Sequence, residues 1–283
     1  MATISLLSAK GSPGVTATVL GLALAWSAAL PGRSALAVDA DPVGGDFAAG
    51  ILRGTPPVSC GVLSLATSRG VDPFDAVEVS SVRLRPDGSA RCLPGVPDSA
   101  RSAALTLAWD VISQAREDLT DAGTDILLDA GRIDAQRSTA AWLTDSDLAI
   151  LVVRATLPAV TAAHRFVAAF GAPAEGDLDP VGRRPLPLAL VVVEAPAPYR
   201  PGEVADALGL PLLGSIPFDP VSARVHSEGL AAGRAYARSH HVRALHGLAA
   251  SLGERLALVS GAAPARGSTS SRSSQPATGG GRP

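Results

Sequence analysis

A chain of 283 residues with 47% hydrophobic and 18% charged side chains has enough apolar material for one large α/β domain, and a formal net charge of −2 gives no basis for bulk nucleic-acid binding. Two cysteines, Cys60 and Cys92, exclude a disulfide scaffold and favour a reducing, cytoplasmic compartment. Of the 24 basic residues one is a lysine, Lys10, and the rest are arginines, a bias that suits a GC-rich coding sequence.

The first element is the apolar run Thr3–Ser8, "TISLLS", with the pattern of a strand buried on both faces. The turn "AKGSPGVT" follows, then an apolar helix over Val15–Leu30 and a second strand, Ala35–Asp39. Strand, glycine-rich turn, helix and strand make a βαβ unit. In such a turn the backbone N–H groups and the N-terminus of the next helix converge on one point and hold an anion. Gly11 and Gly14 supply the unusual dihedrals and the close backbone approach, and the Thr16 hydroxyl can ligate Mg²⁺. Against the pattern G-x-x-x-x-G-K-[ST], Ala9 stands at the first glycine and Val15 at the lysine, so an ordinary strand–helix turn is the competing reading.

Residues 15–37 admit a further alternative, a secretory leader, since an apolar stretch runs to Pro31-Gly32 and closes on the small residues "ALA". No basic cluster precedes it, strand patterns flank it, and the apolar run is too short for the roughly 20 residues that span a bilayer.

The second strand ends in "DADP", which puts Asp39 and Asp41 beside the turn. Residues 76–93 alternate like an antiparallel hairpin around Pro86-Asp87-Gly88, an excursion at the sheet edge. A helix is expected over Ala100–Asp121, then a strand over Asp125–Asp129. That strand ends in "LLDAG", a Walker B pattern whose Asp129 carboxylate suits Mg²⁺. Strands at Leu148–Val153, Leu188–Val193 and Leu212–Ile216 alternate with helices at Leu157–Phe170, Glu203–Leu208 and a broken Ala223–Leu258. The alternation predicts a doubly wound, mostly parallel sheet flanked by helices, spanning residues 1–260 as one P-loop NTPase-like domain. Ligands of such sheets sit at the carboxyl ends of the strands, where all three acids fall. Residues 261–283, rich in Ser, Gly, Pro and Arg, read as a disordered tail.

Taken in order, these motifs resemble the MinD/ParA family of deviant Walker A ATPases. The family loop K-G-G-x-G-K-[ST] corresponds to "KGSPGVT", Lys10–Thr16; "DADP" to its switch I; "LLDAG" to Walker B and switch II; "SDLAILVVRATLPAV" to the strand beyond. "EVADALGLPLLGSIPFDP", 203–220, resembles the late strand that ends in IP-x-D. The resemblance implies ATP and Mg²⁺ as cofactors, held by Lys10, Gly11, Ser12, Pro13, Gly14, Val15, Thr16, Ala17 and Asp129, with the metal on Thr16 and Asp129. It implies catalytic roles for Lys10, which would reach the partner subunit's phosphates, and for Asp39 or Asp41 in positioning the attacking water. It implies a nucleotide-dependent homodimer and a further protein partner. The second loop lysine has no counterpart, because Val15 fills its position, and Glu194 stands where the family commonly places a base-contacting Asn. Losing that lysine costs about 1.5–3 kcal/mol, or roughly 10- to 100-fold in affinity. Lys10 could serve its own site, Arg132 or Arg154 could substitute, or the site could be a relic.

Two functions follow from the resemblance: an ATP-dependent positioning or partitioning switch with slow hydrolysis, or an inactive pseudo-ATPase scaffold in an envelope-associated assembly. His226, His240, His241 and His246 lie with Arg224, Arg234, Arg238 and Arg243 in a C-terminal stretch that reads as a solvated helix face and could touch DNA non-specifically; no carboxylates or cysteines converge there for a metal. The tail lacks an apolar stripe, so no direct membrane insertion is expected. Trp26, Trp109 and Trp142 read as core, and the cysteines as small apolar fillers.

Overall fold

The computed structural model describes residues 1–10, 14–57, 59–133, 141–170, 187–196 and 199–259. Its strands are β1 (Thr3–Ser8), β2 (Ser34–Asp39), β3 (Val82–Arg83), β4 (Ala90–Leu93), β5 (Thr124–Arg132), β6 (Leu148–Arg154), β7 (Leu188–Val193) and β8 (Leu212–Ile216). They form one sheet in the order β3-β4-β2-β5-β1-β6-β7-β8, parallel throughout except for the β3–β4 pair. The helices are α1 (Val15–Ala29), α2 (Val62–Ala66), α3 (Pro73–Ser80), α4 (Ala103–Gln114), α5 (Arg116–Asp121), α6 (Ala141–Thr144), α7 (Leu157–Phe170), α8 (Pro201–Leu208), α9 (Pro220–Ser227), α10 (Arg234–Ala237) and α11 (His240–Val259).

All six expected strands form where the apolar runs lie. Alternate residues feed opposite faces: Ile4, Leu6, Ile150 and Val191 join a cluster with α1 and α11, whereas Leu36, Ile126 and Leu128 pack under α2–α5, and Leu7, Leu151 and Leu190 under α7 and α8. Because both faces are covered, the strands read as unbroken apolar runs. The same cover explains α1, the run also legible as a leader: it lies between the sheet and α11, with Val15, Leu20, Leu22 and Trp26 all buried. Its far end is tied to the sheet by Asp125, which is fully buried. That carboxylate accepts from Trp26 Nε1 at 2.9 Å and from the Ala2 amide at 2.7 Å, and pairs with Arg33.

Two expectations are corrected. The supposed hairpin over 76–93 is half helix: Asp72 caps α3 by accepting from the Phe74 and Asp75 amides, Pro73 fits its first turn, and residues 76–80 continue it. Only Val82–Arg83 pairs antiparallel with β4, and β4 itself pairs parallel with β2 inside the sheet. The expected helix over 100–121 breaks at Ala115 into α4 and α5. The C-terminal helical stretch is broken, as expected, into α9, α10 and α11. Among the described residues no helix is long and apolar enough to cross a membrane. The tail expected after residue 260 lies outside the described residues.

The chain leaves β1 for β2 on one side and places β6–β8 on the other. The carboxyl end of β1 is therefore a topological switch point, where open α/β sheets bind ligands.

Candidate functional site

The loop after β1 is described at both ends; Gly11, Ser12 and Pro13 lie outside the described residues. Gly14 caps α1 in the left-handed region (φ 96°, ψ 30°), and its carbonyl accepts from the Thr18 amide at 2.9 Å and hydroxyl at 2.8 Å. A Cβ there would meet nothing within 4 Å, so glycine is required by backbone conformation and not by space. Val15 is 5% exposed and belongs to the same apolar cluster as Phe47, Leu22 and Leu245. Ala17 lines a cleft beside Gly14, and Lys10 is exposed at the other end of the loop.

The acids come together as the sequence implies. Register pairs Asp39 of β2 with Asp129 of β5, level with Leu6 of β1. The Asp129 carboxylate accepts from the Gly131 amide at 3.0 Å, and the Thr16 hydroxyl in the first turn of α1 lies near enough to favour its charged form. Burial pushes Asp129 up to about 6; these two groups pull it down, while the charges of Asp41 and Asp46 push it further up. Asp39 is completely buried. It accepts from the Phe47 amide at 3.1 Å through Oδ2, and its Oδ1 has no hydrogen-bond partner. Burial first, and the charge of Asp129 second, hold it well above the ordinary carboxylate range. Asp41 Oδ1 accepts from the Val43 amide at 2.8 Å. Its other oxygen abuts Gly131, where a Cβ would lie 2.0 Å away and φ is +60°. Only glycine lets β5 turn past that carboxylate.

Asp46 is a member that sequence reasoning missed, although it ends the run "DADPVGGD", 39–46, that continues from the "DADP" noted above. It lines a cavity of about 300 Å³ with Thr16, Gly50, Ser227 and Glu228. A second cavity, of about 360 Å³, opens beside Gly14, Ala17 and Thr18 and is walled by Arg154, Phe218 and His241. Glu194, at the expected base-contact position, accepts from the Ser215 hydroxyl at 2.8 Å. Arg132 is exposed, whereas Arg154 is half-buried with its guanidinium 5.3 Å from the Phe218 ring centroid. Residues 50–54 are fastened across this end of the fold: Arg53, at φ 53°, donates through Nε at 2.6 Å and through its terminal NH₂ to the Gly229 carbonyl.

The basic face needs correction. His226 and His241 are buried, 5.6 Å apart between ring centroids, and His226 Nε2 lies 3.0 Å from the Tyr236 hydroxyl. Burial, and secondarily the charge of His241, depresses His226 to about 4. Arg224 pairs with Glu228 at 2.8 Å, leaving Arg234, Arg238 and Arg243 as exposed cations of that stretch. Trp26 and Trp109 are core residues, Trp142 is half-buried, and Cys92 is buried while Cys60 is half-buried; both thiols are free.

Among the described residues no three His, Cys, Asp or Glu side chains form a metal cage. The local chemistry nevertheless fits Mg²⁺, which keeps several waters and takes one or two protein oxygens together with phosphate oxygens. Thr16 and Asp129 offer a hydroxyl and a carboxylate in contact, inside a group of four acids whose mutual repulsion a divalent cation relieves.

No family model matches the chain, and no curated protein does. Solved structures do. The cell division ATPase MinD of Pyrococcus furiosus superposes with a TM-score of 0.67 at 21% identity, covering 90% of this chain and 99% of that one. The septum site-determining protein MinD of Pyrococcus horikoshii, complexed with Mg-ADP, gives 0.66 at 21%, covering 91% and 98%. A ParA family ATPase of Chlorobium tepidum gives 0.66 at 18%, covering 88% and 98%. The fold is the MinD/ParA type of P-loop ATPase fold.

Proposed function

We propose that the chain binds ATP with Mg²⁺ and acts as a nucleotide-dependent positioning or partitioning switch that hydrolyses slowly. The observation that carries this is the meeting of Thr16, in the first turn of the loop helix, with the Asp129 carboxylate of the Walker B strand, beside which Asp39 is paired in register. Both groups are where a P-loop protein holds Mg²⁺ against the phosphates. The P. horikoshii MinD of the same fold carries Mg-ADP, which supports the same ligand class here.

In this reading Gly14 and the N-terminus of α1 receive phosphate oxygens through backbone N–H groups. Gly11, Ser12 and Pro13 complete the cradle, and Val15 and Ala17 contribute only their backbone. The metal, when bound, neutralises phosphate charge and is held by Thr16 and Asp129. Lys10 is exposed, as a lysine that reaches a partner subunit must be. Asp39 and Asp41 flank Asp129 and are the groups to orient the attacking water; buried Asp39, with an unpaired oxygen, is poised to accept a proton. The dimer formed around nucleotide would recruit a protein partner, and Arg234, Arg238 and Arg243 supply a face for non-specific DNA contact. The cytoplasm is the compartment that suits an ATP-driven switch.

The burial of Val15 favours one rival, the pseudo-ATPase scaffold, because it places an apolar side chain at the lysine position. Equilibrium binding of labelled ATP with Mg²⁺ decides between them, on wild type, Lys10→Ala and Asp129→Asn. The switch requires wild-type binding that Asp129→Asn weakens and that chelation of Mg²⁺ abolishes. Wild type that binds no nucleotide at millimolar concentration leaves the scaffold.

A further inference from the structure

We propose that Arg154 supplies the positive charge that Val15 cannot, gripping the polyphosphate of the bound nucleotide from the end of β6. This rests on the nucleotide-binding reading above. Arg154 borders both clefts that open onto the described ends of the loop: the shallow one with Ala9 and Lys10, and the cavity of about 360 Å³ with Gly14, Ala17 and Thr18. The β1–β6 register sets Leu7 beside Leu151, so β6 runs on past the end of β1 and carries Arg154 to the cleft that Ala9 and Lys10 line. The guanidinium carbon lies 5.3 Å from the Phe218 ring centroid, a cation–π contact that holds the head group at the cleft. Its buried Nε has no hydrogen-bond partner, and among the described residues no carboxylate pairs with it. A half-buried guanidinium with unused donors beside a second cation, Lys10, is built to receive an anion of high charge density. Its planar fork matches two phosphate oxygens at once. Arg132 does not compete for the role, because it is exposed and borders neither cleft.

The test measures Mg-ATP affinity, and displacement of labelled ATP by inorganic tripolyphosphate, for wild type, Arg154→Gln, Arg154→Lys and Phe218→Leu. Circular dichroism checks that each variant folds. Arg154→Gln is expected to weaken ATP about 10- to 100-fold and tripolyphosphate in parallel, with Arg154→Lys recovering part of both. Phe218→Leu, which keeps the charge but loses the ring that aims it, is expected to show a smaller loss in the same direction. ATP affinity within twofold of wild type in Arg154→Gln overturns the inference and leaves the nucleotide reading standing. So does a loss confined to ATP, or tripolyphosphate that fails to displace ATP from wild type. Wild type that binds neither ligand removes both readings together.

Discussion

Restoring the missing lysine tests whether the loop geometry is that of a phosphate cradle. Val15 is 95% covered within the cluster between α1, the sheet and α11, and burial of a valine side chain stabilises by about 1.5–3 kcal/mol. In Val15→Lys the stem covers part of the same surface while the ammonium must leave it, so the nucleotide-free protein should lose about 1–3 kcal/mol. For a domain of this size that is roughly 2–12 °C in Tm. The ammonium regains a charge-assisted contact of about 1.5–3 kcal/mol once a triphosphate is present, which tightens ATP roughly 10- to 100-fold. Saturating Mg-ATP should then return the variant to within about 2 °C of liganded wild type, because ligation adds the binding difference to stability. Thermal unfolding with and without Mg-ATP, together with titration calorimetry, reads both quantities. A variant that loses stability and gains no affinity would show that position 15 does not face the phosphates, and the loop would be an ordinary strand–helix turn.

Three further outcomes follow from the described contacts. Asp125→Ala leaves the Trp26 indole N–H, the Ala2 amide and Arg33 without their acceptor, and should lower stability in urea by about 3–5 kcal/mol with the m-value unchanged; a loss below about 1 kcal/mol would contradict its anchoring role. Gly131→Ala forces a Cβ into the Asp41 carboxylate at a left-handed position; it should cost about 1–2 kcal/mol in backbone strain alone and weaken Mg-ATP binding, and unchanged binding would remove Asp41 from the site. His226, near 4 when folded against an ordinary 6.5, binds fewer protons folded than unfolded between those values, so its contribution is present above pH 6.5 and is lost as pH falls toward 4. The loss approaches about 3 kcal/mol, and His226→Gln should flatten the wild-type decline between pH 7 and 5 in denaturation midpoints; an identical decline in both proteins would refute the assignment.

The sheet was legible because its central strands are covered on both faces, so Thr3–Ser8, Asp125–Asp129 and Leu188–Val193 are continuous apolar runs with no competing pattern. The edge was not. Residues 76–80 alternate like a strand that would put Val77 and Val79 on one face, but the helix buries Ala76, Val77 and Ser80 and leaves Val79 66% exposed. The Asp72-Pro73 pair just upstream carried the deciding signal, a side-chain cap followed by a residue whose φ already fits a first helical turn. Asp39 and Asp129 were legible because each closes an apolar run in the carboxyl half of its strand, with Asp41 two residues beyond β2. Asp46 was not, because it reaches Asp129 through an irregular loop that only tertiary packing places. His226 and His241 read as a basic face because helical spacing alone does not reveal that Tyr236 and α1 cover them.

The missing lysine leaves the negative charge of this site without its usual partner. Burial first, and the four carboxylates gathered around the carboxyl ends of β2 and β5 second, raise the proton affinity of Asp39 and Asp129, so the ligand-free fold holds repulsion that a metal relieves. A loop lysine would offset part of that negative field; Val15 offsets none, and Lys10 is exposed to solvent that screens it. If the site binds a triphosphate, the compensation falls to a cation held in place by the fold, and Arg154 beside Phe218 is held in that way at the rim of both clefts. Metal and nucleotide are then coupled more tightly than where a lysine sits in the loop, since each neutralises charge that the protein leaves exposed to the other. ATP affinity should fall more steeply on removal of Mg²⁺ in wild type than in Val15→Lys, and equal dependence in the two proteins would break this argument.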